Sequence, residues 1–260
     1  MRSQPEAFLR TPPIIANSVP KSGTHLLTQV LGALADRDYG TFWTSVPSLP
    51  YRELPRASML RAVSRTVPGE LVSAHLFFDP EFDEVLQSQN AVHVFIYRDP
   101  RDIVVSEAHY LTNVNTWHGL HRAFRALDSD EERISLAIMG NGVGQRYDYP
   151  DVGTRVRRYL GWLQRPGVLA IRFEDLVGEA RTATVQDIVR RYAERARGPS
   201  NERELLTRAL TAIDPKRSFT FREGRAEGWR GVLTDAQKDQ LKAVAGSTLI
   251  DLGYESDTSW

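Results

Sequence analysis

A short apolar run, Ile14 to Val19, stops at Pro20 and a glycine turn, and directly after it Leu26, Leu27, Val30, Leu31 and Leu34 recur at helical spacing. The order reads as strand, loop, helix. A helix that starts there turns its unsatisfied N–H groups and the positive end of its dipole toward the loop. Pro20-Lys21-Ser22-Gly23-Thr24-His25 therefore lies where a bound phosphate is favoured. The alternation then repeats. Apolar runs at Leu71 to Phe78, Ala91 to Tyr97 and Val168 to Phe173 predict further strands, and the unbroken middle run suits a strand buried on both faces. After it, Asp99 can cap a helix through Leu111, with Pro100 at the first helical position and Asp102 near the positive end. Other helices are expected around Glu131 to Met139, over Thr154 to Leu163, through Val185, Ile188, Val189 and Tyr192, over Asn201 to Ile213, and over Asp235 to Leu249. Ser218 to Gly231 mixes Arg, Gly, Phe and Trp without a period and reads as a functional loop. Strands alternating with helices imply an α/β chain with a central parallel sheet flanked by helices and ligands beyond the carboxyl ends of its strands.

Composition narrows the function. The 260 residues, 41% hydrophobic and 25% charged, suffice for a single packed domain. Lys plus Arg and Asp plus Glu are both 33, so no global field would hold the chain on nucleic acid or an acidic membrane, and any basic site must be local. The absence of cysteine excludes disulfides, thiolate metal sites and thiol nucleophiles. Prolines and charges interrupt the N-terminal stretch where a signal peptide needs an apolar core, and no run is long enough to span a membrane, so the expectation is cytoplasmic.

The loop is not that of nucleoside triphosphatases, G-x-x-x-x-G-K-[ST], because its lysine precedes a single glycine. Pro20-Lys21-Ser22-Gly23-Thr24 resembles the phosphosulfate loop of the sulfotransferase family, and other matching segments follow in the family's order. Arg98-Asp99-Pro100-Arg101-Asp102-Ile103-Val104-Val105-Ser106 is similar to the segment that binds the 3′-phosphate, with Arg98 and Ser106 as the matching contacts. Ser106 lies seven residues after Asp99, close to two helical turns, and so returns to the same face. Phe221-Arg222-Glu223-Gly224-Arg225-Ala226-Glu227-Gly228-Trp229-Arg230 resembles the family's late Arg-Lys-Gly-x-x-Gly-x-Trp-Lys element. The likeness implies that Arg222 and the backbone of Gly224 help hold the 3′-phosphate. Glu223 stands where the family has lysine and would weaken the positive field, and Trp229 reads as an anchor of the loop. Arg172-Phe173-Glu174-Asp175-Leu176 looks like the Tyr-Glu-Asp-Leu segment, which implies that Phe173 borders the adenine; a plain core residue is the other reading. Leu26 replaces a tryptophan that stacks there in many relatives.

The resemblance implies a fold like that of the P-loop nucleotide kinases, 3′-phosphoadenosine 5′-phosphosulfate as donor, adenosine 3′,5′-bisphosphate as product, and no metal. His75, ending the second expected strand before Leu76, stands where the family carries its catalytic histidine, and an imidazole suits removal of a hydroxyl proton near neutrality. Lys21 would neutralise charge on the departing bridging oxygen, the N–H groups from Ser22 through His25 would bind the 5′-phosphate, and Ser106 is implied to hold the lysine back until the acceptor is in place. His109, His118 and His121 make no metal set and read as surface or acceptor-side residues. Residues 1–12 are expected to be a flexible tail, and 41–67 and 112–153 variable acceptor-side loops. In those loops and beside them, Trp43, Phe77, Phe78, Tyr110, Trp117 and Tyr147 would suit a small apolar hydroxyl acceptor. A homodimer is left open. Two alternatives stand beside sulfuryl transfer: a P-loop nucleotide kinase or NTPase, and a catalytically silent nucleotide-binding scaffold.

Overall fold

Where apolar runs alternate with amphipathic segments, a computed structural model describes residues 5–46, 55–141, 148–197, 201–214 and 227–260. Its elements are α1 (Pro5–Arg10), β1 (Ile14–Ser18), α2 (Thr24–Gly32), β2 (Arg37–Thr44), α3 (Arg56–Val63), β3 (Glu70–His75), α4 (Pro80–Ser88), β4 (Val92–Tyr97) and α5 (Pro100–His109). A π-helical turn (Tyr110–Val114) follows, then α6 (His121–Arg125), α7 (Asp130–Met139), α8 (Val152–Arg157), a 3₁₀ turn (Leu160–Gln164), β5 (Val168–Arg172), α9 (Phe173–Val177), α10 (Arg181–Arg195), α11 (Glu202–Thr211), a second 3₁₀ turn (Gly228–Gly231) and α12 (Asp235–Asp251). The sheet has five parallel strands in the order β2-β3-β1-β4-β5, as the βαβ alternation requires.

The chain forms two compact units. The first comprises Met1–Ser45, Leu54–Tyr97 and Gly161–Gly224, and the second Val46–Glu53, Arg98–Leu160 and Arg225–Trp260. The first holds the sheet. Ile14, Ala16, Val92, Val94, Ile96 and Ile171 share one core with Leu27, Val30 and Leu31 of α2, Val185, Ile188 and Val189 of α10, and Ala209 of α11. Each of the valines, leucines and isoleucines among them contributes about 1.5–3 kcal/mol on burial. Strand alternation sends His93 and Phe95 to the opposite face, where the Trp162 ring meets His93 edge-on at 4.6 Å. In the second unit, α12 packs with α7 and α8, and α5 with α7.

Local chemistry explains the boundaries. Asp99 Oδ1 accepts from the Arg101 N–H at 2.8 Å with Pro100 behind it, so α5 starts where the sequence places it. Ser129 and Glu132 close a capping box on α7. The second expected strand stops at His75 instead of Phe78, because the Asn17 amide takes over the pairing: Leu76 N–H donates to Asn17 Oδ1 at 2.9 Å and Asn17 Nδ2 to Leu76 O at 3.2 Å. The helix expected over 154–163 divides into α8 and a 3₁₀ turn.

A strand absent from the sequence reading, β2, occupies the sheet edge. Its register shifts between Asp38 and Thr41, around the left-handed Gly40, and most of it is exposed, so it shows no hydrophobic alternation. The span read as an acceptor-side loop, 41–67, thus contains the end of β2 and all of α3, and the span read as a tail contains α1, with Phe8 buried. Most of the loop expected over 218–231, including Arg222, Glu223 and Gly224, lies outside the described residues, as does Tyr147.

Candidate active site

At the carboxyl edge of the sheet, Ser18 pairs with Ile96, Thr44 with His75 and Tyr97 with Arg172. The chain leaves β1 through a tight turn in which Val19 N–H donates to Ile96 O and Ser22 N–H to Val19 O, both at 3.2 Å. Lys21 is left-handed, with φ 68, at a cost of about 1–2 kcal/mol for a residue with a Cβ. Such strain gathers at sites whose surroundings impose it. Gly23 has φ 92, and a Cβ there would stand 2.5 Å from the Phe173 ring, so backbone and packing both demand glycine. Gly23 also caps α2 with no side-chain bond and no acidic residue in the first turn. The first helical bond runs from Leu27 N–H to Gly23 O, which leaves the N–H groups of Thr24, His25 and Leu26 without helical acceptors. Ser22 is wholly buried, and its hydroxyl has no hydrogen-bond partner among the described residues. A left-handed turn at a helix start with no acidic residue in the first turn is the setting an anion favours.

His75 stands at the end of β3, partly exposed. Its Nδ1 lies 3.0 Å from Ser18 O and 3.0 Å from Ser18 Oγ. A carbonyl can only accept, so Nδ1 carries the proton and Nε2 the lone pair. Desolvation pulls the imidazole down to about 4; the Ser18 hydrogen bond opposes this, and the charges of Lys21 and then His25 add to it. Near neutrality the ring is an uncharged acceptor. Burial, then the Lys21 charge, also lowers His25. Thus Lys21, Ser22, Gly23, Thr24, His25, His75 and Phe173 come together in the first unit.

The residues beside His75 include three that sequence reasoning missed. Asn17 and Ser18 are fully buried polar side chains at the end of an apolar strand. Phe42 of β2 meets the His75 ring edge-on at 5.3 Å while staying 45% exposed. Polar residues inside a buried run must find partners, and that was the available signal for the first two. Phe42 carried none, because β2 itself was not legible.

In the second unit, Arg98 is 13% exposed and lies 3.4 Å from Asp102 Oδ2. Asp102 Oδ1 accepts the Trp229 N–H at 2.9 Å, and desolvation raises this carboxyl while Arg98 opposes the rise. Ser106 is partly exposed on α5. Trp229 is buried, with the Arg101 guanidinium 4.1 Å from its ring centroid and the Trp260 ring centroid 4.5 Å from the same guanidinium. Asp99 grips Arg101 through both oxygens, and Glu255 completes the pairing.

The candidate acceptor aromatics divide. Trp43 is buried, Phe78 packs edge-on against Trp162 at 5.1 Å, Tyr110 Oη accepts from Asn115 Nδ2 at 3.1 Å, and Trp117 is 84% exposed. Trp43 is thus part of the buried core. His109, His118 and His121 have local partners: Nδ1 of His109 meets Asn113, that of His121 meets Leu111 O, and that of His118 accepts from Leu120 N–H.

Among solved structures, a mouse sulfotransferase, SULT7A1, complexed with PAP superposes with a TM-score of 0.61 at 18% identity, over 96% of this chain and 91% of that one. Retinol dehydratase in complex with androsterone and inactive cofactor PAP gives 0.58 at 15%, over 92% and 81%. A retinol dehydratase complex with retinol and PAP matches equally, at 0.58 and 15% over 92% and 82%. Identities this low show a common fold. Family itself is settled by a sulfotransferase-domain model that matches residues 11–253, and the chain belongs to that family.

Proposed function

We propose that this protein is a cytoplasmic O-sulfotransferase that moves the sulfuryl group of 3′-phosphoadenosine 5′-phosphosulfate to the hydroxyl of a small apolar acceptor. The observation that carries the reading is His75, whose Nδ1–H is committed to the Ser18 carbonyl and whose charge-free ring lies within the field of Lys21. The loop fits the donor: the start of α2, a left-handed glycine and the buried Ser22 hydroxyl suit a 5′-phosphate. Ser22 through His25 hold that phosphate, Arg98 and Ser106 the 3′-phosphate together with Arg222 and the Gly224 backbone, and Phe173 borders the adenine. Glu223 is given no contact. The family's use of Ser106 to restrain Lys21 is carried over.

The acceptor oxygen bonds to sulfur as the bond from sulfur to the bridging phosphate oxygen breaks, and the hydroxyl proton passes to His75 Nε2. Lys21 neutralises the charge left on that oxygen. A phosphosulfate beside Lys21 also offsets the Lys21 charge, a smaller cause of the low His75 basicity than desolvation, and so nudges the imidazole upward. Charge relief falls to Lys21, so this scheme calls for no metal. The exposed part of Phe42 beside the base favours an apolar acceptor, as do the retinol and androsterone held by retinol dehydratase.

Transfer of labelled sulfate from the donor to a panel of hydrophobic alcohols, phenols and polysaccharides tests the reading. His75→Ala should lower kcat by about 10²- to 10⁴-fold, the contribution of a positioned general base. Wild-type turnover by that variant on every acceptor would remove the base, and activity on polysaccharide alone would remove the small acceptor.

A further inference from the structure

The hydroxyl chemistry behind His75 extends past the base. Ser18 Oγ lies 3.0 Å from His75 Nδ1, 2.7 Å from Thr24 Oγ1 and 3.3 Å from Ala74 O. Thr24 is the first residue of α2 and belongs to the phosphate loop; its own carbonyl accepts from Thr28 Oγ1 at 2.8 Å, and Thr28 Oγ1 lies 3.0 Å from Ser73 Oγ on β3. Ser18 has no exposed surface, so none of its bonds is traded against water. The main chain around it is fixed as well: Asn17 Oδ1 accepts from both Ser18 N–H and Leu76 N–H, and Trp162 Nε1 donates to Leu76 O at 2.9 Å.

We propose that Ser18 is a positioning residue of the transfer reaction, its hydroxyl joining Thr24 of the phosphate loop to His75 so that donor binding at the loop is felt at the imidazole. The inference rests on His75 being the base. Nδ1–H is shared between the carbonyl and hydroxyl of one residue, which fixes the ring plane and the tautomer. A bound anion that draws on Thr24 changes the direction in which the Ser18 O–H points, and with it the acceptor strength presented to Nδ1. Fully hydrogen-bonded buried networks of this kind rigidify the groups they hold.

The experiment combines a mutant cycle with nitrogen NMR of the histidine side chains. Ser18→Ala should lower kcat about tenfold, a fraction of what a positioned base contributes, while the KM for the donor stays near wild type. In a His75→Ala background the same change should have no further effect. Thr24→Val, which keeps the backbone N–H, should reproduce the loss, and Thr24→Ser should restore activity. An equal loss in both backgrounds would make Ser18 merely structural, and an unchanged kcat would overturn the proposal. Independently of turnover, titration with adenosine 3′,5′-bisphosphate should move the His75 Nδ1 resonance in the wild-type protein and move it less in Ser18→Ala. Identical responses would also overturn the link. If His75→Ala keeps full activity, the base assignment falls, while this resonance still decides whether Ser18 connects ring and loop.

Discussion

Gly23→Ala perturbs the phosphate loop in two separable ways. An alanine forced to φ 92 meets the steric cost of left-handed backbone for an L-residue, about 1–2 kcal/mol. Its Cβ would also stand 2.5 Å from Phe173 Cδ2 and 2.9 Å from Cε2, closer than any real contact, and Phe173 is packed in the sheet core beside Ile96 and Leu176. Forcing that ring aside costs about 1–3 kcal/mol, as overpacked cores do. The combined loss is about 2–5 kcal/mol, a large share of the stability of an ordinary domain. Urea denaturation should show it as a lower midpoint at an unchanged slope. Phe173→Leu should recover the packing part and leave the backbone part, so the double variant should be more stable than the two single losses predict. A Gly23→Ala protein within about 0.5 kcal/mol of wild type would refute both the left-handed turn and the ring contact. Strict additivity would refute the contact alone.

Further expectations concern buried charge and acid. Burial pushes His93 down to about 3, with Asp83 opposing, and both its ring nitrogens lack partners among the described residues. The unfolded chain therefore takes up a proton below about 6.5 that the folded chain refuses. Stability is complete above that pH and declines toward about 3, by an amount on the order of a few kcal/mol, and His75 acts in the same direction down to about 4. His93→Leu should flatten this acid limb in denaturation measured across pH, and an unchanged limb would clear His93 of the effect. Asp102→Ala should loosen both Arg98 and the Trp229 main chain and weaken adenosine 3′,5′-bisphosphate binding in calorimetry, with unchanged affinity excluding that support. Arg101→Lys should destabilise by about 2 kcal/mol, because an ammonium can neither span both Asp99 oxygens nor lay a planar face against the Trp229 and Trp260 rings, and a neutral result in thermal denaturation would contradict the weight given to these contacts. Arg98→Ala should mainly weaken the donor, by about 1.5–3 kcal/mol for a charged hydrogen bond, and equilibrium binding of adenosine 3′,5′-bisphosphate measures it.

What the sequence disclosed of the fold followed the strength of local signals. Asp99-Pro100 and Ser129-x-x-Glu132 place helix starts because capping acts over three residues, and the structure has α5 and α7 where those signals put them. Strands β1 and β4 are buried along nearly their whole length and so read as continuous apolar runs. Edge strand β2 is exposed, bulged and interrupted by Gly40, and it pairs with β3, some thirty residues farther along. No local pattern records such a partner.

The candidate site divides along the same line. Lys21, Gly23 and Thr24 are legible because an anion site at a helix start is made by consecutive residues, so its chemistry and its spacing coincide. His75 is legible as a candidate base only through its resemblance to a family pattern, since nothing adjacent to it in the chain marks it as one. The contact that orients its imidazole comes from Ser18, 57 residues earlier, brought to 3.0 Å by the parallel pairing of β1 with β3. The pairing puts the ends of both strands at one edge, and a polar side chain closing an apolar run there has nowhere to turn but to its neighbour's last residue. Asn17-Ser18 at the end of Ile14-Ile15-Ala16 was thus a question posed by the sequence, two buried polar groups in need of partners. The strand order β3-β1-β4 supplies the answer: Asn17 takes the main chain beyond His75, and Ser18 takes its imidazole.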